Sequence, residues 1–164
     1  MQIGKIVAKI VDANGLFPSQ AREMQGLYDW WHSNVLFYVL EGVAGTGKTY
    51  LINAFLKSVV DKSYTISAPT HKALSVLERQ LKCKGRTLQS LLGLRPDVNV
   101  EEFDVNNPAF RMIGVPKIEL FKIIVIDESS MIPAGLFNII CELAKNYGCK
   151  ILFVGDPLQL PPVK

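Results

Sequence analysis

Cysteine is scarce in this chain of 164 residues, and the three present, Cys83, Cys141 and Cys149, are odd in number and nowhere spaced as C-x-x-C. That disfavours both a disulfide framework and a structural zinc site, and a reducing cytoplasm is the expected compartment. No apolar run approaches the ~20 residues of a membrane span, so no membrane partner is expected. The N-terminus, its apolar residues interrupted by Lys5, Lys9 and Asp12, does not resemble a secretion signal. Charge excess is small: a net +3 neither demands nor excludes nucleic acid, so any anion-binding strip must be local. Internal repeats and low-complexity stretches are missing too. What remains is a chain with 49% hydrophobic residues, long enough for one full core.

What the chain does have is Gly42-Val43-Ala44-Gly45-Thr46-Gly47-Lys48-Thr49. The apolar run Val35 to Leu40 before it predicts a buried strand, and Leu51, Ile52, Phe55, Leu56 and Val59 follow at helical spacing. Strand, glycine-rich turn and helix start, in that order, match the phosphate-binding pattern G-x-x-x-x-G-K-[ST]. Gly42, Gly45 and Gly47 let backbone N–H groups turn inward where a Cβ would obstruct a phosphate. The helix N-terminus adds partial positive charge. The candidate binding segment therefore runs from Gly42 through Val43, Ala44 and Thr46 to Thr49 and the adjoining Tyr50. Lys48 can reach the β- and γ-phosphates, and the Thr49 hydroxyl can ligate a bridging magnesium ion.

Residues 1–12 alternate loosely and fit a strand, a helix or a frayed extension alike, and 1–17 are set apart as an N-terminal extension. Asn14-Gly15 marks a turn, and Pro18-Ser19 a helix entry with Ser19 as its cap. Met24, Leu27, Tyr28 and Trp31 then keep a helical period, with Trp30 and Trp31 read as packing. Downstream of the loop, Tyr64 to Ala68 predicts a strand, and the segment from Thr70 opens a helix with Leu74, Leu77 and Leu81 on one side. Arg86 to Leu92 is a further apolar-polar segment. From Gly93 to Pro116, prolines, asparagines and glycines punctuate short runs such as Val98 to Val105, the pattern of an insertion with a hairpin turning near Asn106-Asn107. Ile123 to Ile126 is the most strand-like run. Pro133 starts a helix with Leu136, Ile139, Ile140 and Leu143 on one face, and Ile151 to Val154 forms a last strand. Apolar runs separated by helical segments predict an α/β fold, a parallel sheet covered on both faces, with ligands at the strands' carboxyl ends.

Asp127 follows four apolar β-branched residues, the setting of a Walker B carboxylate that holds magnesium through its water shell. Glu128 beside it can polarise an attacking water. The same pair taken alone reads as a solvated strand end. Gly155-Asp156-Pro157-Leu158-Gln159-Leu160-Pro161-Pro162 forms a third cluster, in which the neutral amide of Gln159 can donate to a γ-phosphate. Lys48, Glu128 and Gln159 are the candidate catalytic residues, and Thr49 and Asp127 the candidate magnesium ligands.

In chain order, GVAGTGKT, APTHKAL, RTLQSLLGL, IIVIDESSM and VGDPLQLPPV resemble the motifs of the first motor domain of superfamily 1 DNA helicases. Within that group they are most similar to the RecD and Dda branch, whose third motif reads GDxxQLPPV. The resemblance covers about Pro18 to Val163. It implies a P-loop NTPase of RecA-like fold over residues 18–164, a short insertion at about 93–116, ATP and Mg2+ as ligands, single-stranded DNA as partner and 5′ to 3′ movement. It also implies that Gln20 contacts adenine, against the alternative of a helix-surface glutamine. Thr70, His71 and Lys72 match the family's first strand-contacting motif and Thr87 the next, where hydroxyls, a helix N-terminus and a cation suit phosphate contacts. His71 reads equally as a turn-stabilising residue.

Gln89 departs from the histidine common in the relatives. The insertion would correspond to the pin that splits the duplex, with Phe103 or Phe110 as a stacking wedge or as core. Superfamily 1 motors close ATP between two domains, and no second strand-helix series follows the third motif before Lys164. The expectation is a truncated or split polypeptide, or a half-motor completed by another chain and weakly active alone. A rival class is a non-motor module that uses ATP as a switch or assembly ligand among replication or recombination proteins. A kinase lid rich in arginine and the N-K-x-D motif of GTPases are both missing.

Overall fold

The computed structural model describes residues 2–60, 62–96, 110–112 and 114–156. In chain order they form α1 (Gln2–Asn14), α2 (Pro18–Trp31), β1 (Phe37–Glu41), α3 (Lys48–Ser58), β2 (Tyr64–Ala68), α4 (His71–Leu81), β3 (Arg86–Thr87) and α5 (Leu88–Leu92). There follow β4 (Leu94–Pro96), β5 (Phe110–Met112), β6 (Ile123–Ile126), α6 (Ala134–Tyr147) and β7 (Lys150–Gly155). Five strands make one parallel sheet in the order β1-β7-β6-β2-β3. Strands β4 and β5 pair antiparallel, Leu94 opposite Met112 and Pro96 opposite Phe110, at the base of the expected hairpin. The run Val98 to Val105, its turn at Asn106-Asn107, Phe103 and Gln159 lie outside the described residues.

Strand β6, and β7 from Ile151 to Val154, are apolar throughout because the sheet is covered on both faces. Alternation sends Ile123, Val125, Leu152 and Val154 into one core with Met24, Leu27, Phe55 and Leu77 of α2, α3 and α4. It sends Ile124, Ile126, Ile151 and Phe153 into a second core with Leu91 of α5 and Leu136 and Ile140 of α6. Each such side chain contributes about 1.5–3 kcal/mol on full burial, and these layers hold the strand ends in register.

Several local expectations change once the chain is packed. Residues 2–14 are helical, because Val7 and Ile10, one turn apart, are buried together with Leu16 in the first core. Gly15, at φ +58°, then reverses the chain while the Leu16 N–H donates to the Val11 carbonyl at 3.1 Å. Ser19 does not cap α2. Pro18 takes the first helical position, where its fixed φ is suited and its missing N–H is not needed, and the N–H of Phe17, the capping residue, donates to Gln20 Oε1 at 3.0 Å.

The strand before the glycine loop is not buried but lies at the sheet edge, with Leu40 only 2% exposed and Val39 57%. Arg86-Thr87 adds a fifth strand too short to show a period. Lys150 ties the end of α2 and the entry to β1 onto β7: its ammonium donates to the carbonyls of Trp30, Ser33 and Val35 at 3.0, 2.8 and 2.6 Å and lies 5.1 Å from the Trp30 ring centroid. All three thiols are free.

Candidate functional site

Parallel pairing brings the carboxyl ends of all five strands to one edge of the sheet. In strand order that edge presents the loop 42–49, then Gly155-Asp156, then Asp127-Glu128, then Pro69 to Lys72, then Thr87. The phosphate-type motifs therefore occupy one half, and the residues matched to strand contacts occupy the other.

Loop and acidic pair share a cavity of about 370 Å³, with Ala44, Gly45, Gly47, Lys48 and Thr49 on one side and Asp127 and Glu128 on the other. That volume is within the range of small-molecule sites. Gly45 and Gly47 hold φ of +83° and +81°, a backbone that favours glycine. The loop is pinned from below, where the Gly42 N–H donates to the Gly155 carbonyl at 3.2 Å and the Ala44 N–H to Asp156 Oδ2 at 2.8 Å. Thr46 closes it internally through Oγ1 to the Val43 carbonyl at 2.8 Å. Lys48 Nζ donates to the carbonyls of Gly42 and, at 3.0 Å, Val43. Val43 itself stands exposed, and Tyr50 turns away, its hydroxyl donating to the Asn14 carbonyl at 2.6 Å.

Across the cavity, the Asp127 N–H donates to the Ser67 carbonyl at 3.0 Å, and its Oδ1 accepts the Glu128 N–H at 2.9 Å. Burial pushes the Asp127 carboxyl above its ordinary pKa, opposed by the Glu128 N–H and the Lys48 charge. Glu128 is raised as well, by burial and then by the Asp127 charge. Glu128 also holds a left-handed backbone at φ +52°, the sort of strain found at functional strand ends. Among the described residues no cluster of three or more His, Cys, Asp or Glu could hold a metal. A hydroxyl and a carboxylate, Thr49 and Asp127, line the cavity instead, a hard-oxygen pair suited to Mg2+, which takes its remaining ligands from phosphate and water.

Gln20 is no surface residue: it is 8% exposed, and its Nε2 donates to the Gly47 carbonyl at 3.5 Å. It lines a second cavity of about 460 Å³ on the far side of the loop, with Glu41, Gly42 and Thr46. On the other half of the edge, Thr70 caps α4 by accepting the Ala73 N–H, and Thr87 caps α5 by accepting the Ser90 N–H. Register pairs Ala68 with Thr87, so the two caps are neighbours, with His71 and Lys72 exposed beside them. Sequence reasoning missed Asp156 as a loop contact. A carboxylate after a strand was visible, but its Ala44 partner lies 112 residues away.

A parallel sheet that leads from its first strand through a glycine loop into a helix, with an acidic strand end across the same cavity, defines a P-loop NTPase of RecA-like architecture. A family profile described as an AAA domain matches residues 16–164, and the chain belongs to that family. It is 31% identical over 128 residues to the ATP-dependent DNA helicase dda of Enterobacteria phage T4, spanning 76% of this chain and 28% of dda. To the ATP-dependent DNA helicase Pif1 of Campylobacter jejuni it is 35% identical over 131 residues, spanning 76% of this chain and 28% of that one. Among solved structures, Bacteroides Pif1 bound to ssDNA superposes with a TM-score of 0.59 at 26% identity over 87% of this chain and 33% of its own. Candida albicans Pif1 gives 0.58 at 29% identity, over 91% and 34%. These relatives are superfamily 1 helicases, and the match covers their first motor domain. The chain spans less than a third of the length of these curated relatives. Among the described residues no helix is long and apolar enough to cross a membrane.

Proposed function

We propose that this chain is the ATP-binding and hydrolysing first motor domain of an ATP-dependent DNA helicase that moves 5′ to 3′ on single-stranded DNA. A second motor domain completes the motor. The observation that carries this reading is the one cavity shared by Lys48, Thr49, Asp127 and Glu128, with Thr70 and Thr87 further along the same edge.

Lys48 exchanges its loop carbonyls for the β- and γ-phosphates and neutralises their charge. Thr49 and Asp127 would hold Mg2+, which would supply further charge neutralisation. Glu128 orients the attacking water and accepts its proton, a role favoured by the upward push that burial and the Asp127 charge give its carboxyl. Gln159 reads the γ-phosphate and Gln20 the adenine. Thr70 and Thr87 accept backbone N–H groups through oxygen and so keep their hydroxyl protons to donate to DNA phosphates, with His71 and Lys72 beside them. Arginines from the second domain stabilise the transition state, a contribution of about 10³–10⁵ in rate where such fingers act.

Single-turnover ATP hydrolysis with and without single-stranded DNA tests the reading. Wild type should turn over slowly, be stimulated by DNA and unwind nothing alone. Glu128→Gln should lose roughly 10²–10⁴ in rate while still binding Mg-ATP. Hydrolysis unchanged in Glu128→Gln would remove Glu128 from the chemistry, and nucleotide binding without turnover would favour a switch.

A further inference from the structure

The structure assigns Asp156 as a positioning residue of the phosphate loop, acting through the Ala44 N–H. This rests on the nucleotide-binding reading above.

Three successive residues at the end of β7 reach both walls of the cavity. The Val154 carbonyl accepts Ser129 Oγ at 2.9 Å on the acidic side. The Gly155 carbonyl accepts the Gly42 N–H at 3.2 Å, extending the β1–β7 ladder into the loop. Asp156 Oδ2 then accepts the Ala44 N–H at 2.8 Å. Gly155 is tightly placed, since a Cβ there would stand 3.1 Å from Ser129 Oγ and 3.8 Å from the Ser130 nitrogen.

Asp156 is only 6% exposed, and a carboxylate that buried is unfavourable unless donors reach it. It also lines the cavity meant for a triphosphate, where an uncommitted negative charge would repel the ligand. Directed at the Ala44 N–H, the carboxylate oxygen is committed to holding the loop's crest, a bond that needs an acceptor at that place. The helix-start N–H groups, which lack intrahelical acceptors, stay available for phosphate. What Asp156 positions is therefore the cradle for the β-phosphate, which ATP and ADP share, rather than a contact to the γ-phosphate.

Binding of fluorescent ATP and ADP analogues with Mg2+ to the chain, its Asp156→Ala variant and its Asp156→Asn variant tests this. Asp156→Ala should weaken both nucleotides by about tenfold, raising KM with kcat within about threefold. Asp156→Asn keeps an Oδ acceptor and should restore both affinities to within about threefold of wild type. Hydrogen exchange at the Ala44 amide should quicken at least tenfold in the alanine variant, a readout that needs no nucleotide. Wild-type exchange and wild-type affinity in Asp156→Ala would overturn the inference, as would loss of ATP alone, which means γ-phosphate sensing. Weakening of both nucleotides by tenfold or more relative to wild type in Asp156→Asn would also overturn it, and that arm stands even if the alanine variant does not fold. A wild-type chain that binds neither nucleotide refutes the functional reading instead, leaving the exchange result to judge Asp156.

Discussion

Replacing Gly45 and Gly47 by alanine, one at a time, separates backbone strain from crowding in the phosphate loop. Both hold left-handed backbones, at φ +83° and +81°. A Cβ at Gly45 meets nothing within 4 Å, so Gly45→Ala carries only the strain of a left-handed alanine, about 1–2 kcal/mol. A Cβ at Gly47 stands 2.5 Å from Gln20 Nε2. The Gln20 amide must then move, giving up its bond to the Phe17 N–H at 3.0 Å and its longer contact to the Gly47 carbonyl at 3.5 Å. At about 1 kcal/mol for each hydrogen bond lost, added to the same backbone strain, Gly47→Ala should destabilise by about 3–4 kcal/mol. Urea unfolding of the two variants measures the difference, provided the m-values agree. In a Gln20→Ala background the extra loss at Gly47 should vanish, a double-mutant cycle that isolates the contact. Equal losses for Gly45→Ala and Gly47→Ala in the wild-type background would refute the claim that Gln20 braces the loop.

Asp127→Asn should raise the thermal midpoint of the nucleotide-free chain at neutral pH, because burial makes the ionised carboxylate unfavourable in the fold. With its folded pKa raised, Asp127 holds a proton more tightly folded than unfolded. Wild type should therefore gain stability relative to the variant as pH falls through that raised value, completing the gain below the unfolded value of about 3.9. Thermal scans across that window read the sign. Lys150→Met removes the donor to the Trp30, Ser33 and Val35 carbonyls and should destabilise by about 1.5–3 kcal/mol, read by urea unfolding.

The interior strands were the most legible parts of the chain. Tyr64 to Ala68 and Ile123 to Ile126 are strands with the predicted bounds, and the second, buried on both faces, is apolar without a break. The helix after Thr70 showed its face through Leu74, Leu77 and Leu81, all buried. Less legible were α1, where the helical spacing of Ile6, Val7, Ile10 and Val11 passes for loose alternation, and β3, which at two residues has no period. Ser19 was mistaken for a cap because cap preference is local, whereas Pro18 takes the first helical position and a glutamine three residues beyond Phe17 satisfies that residue's N–H.

The sequence by itself determined where the glycine-rich loop sits and which carboxylates follow a strand, since each depends on neighbours a few positions apart, and the helical segments between apolar runs predicted the parallel sheet. Only the tertiary structure decided that β1 is an edge, that Gln20 is buried against the loop, and that Asp156 reaches Ala44. Those facts depend on strand order and on pairs far apart along the chain, which come together when burial of both sheet faces selects one arrangement.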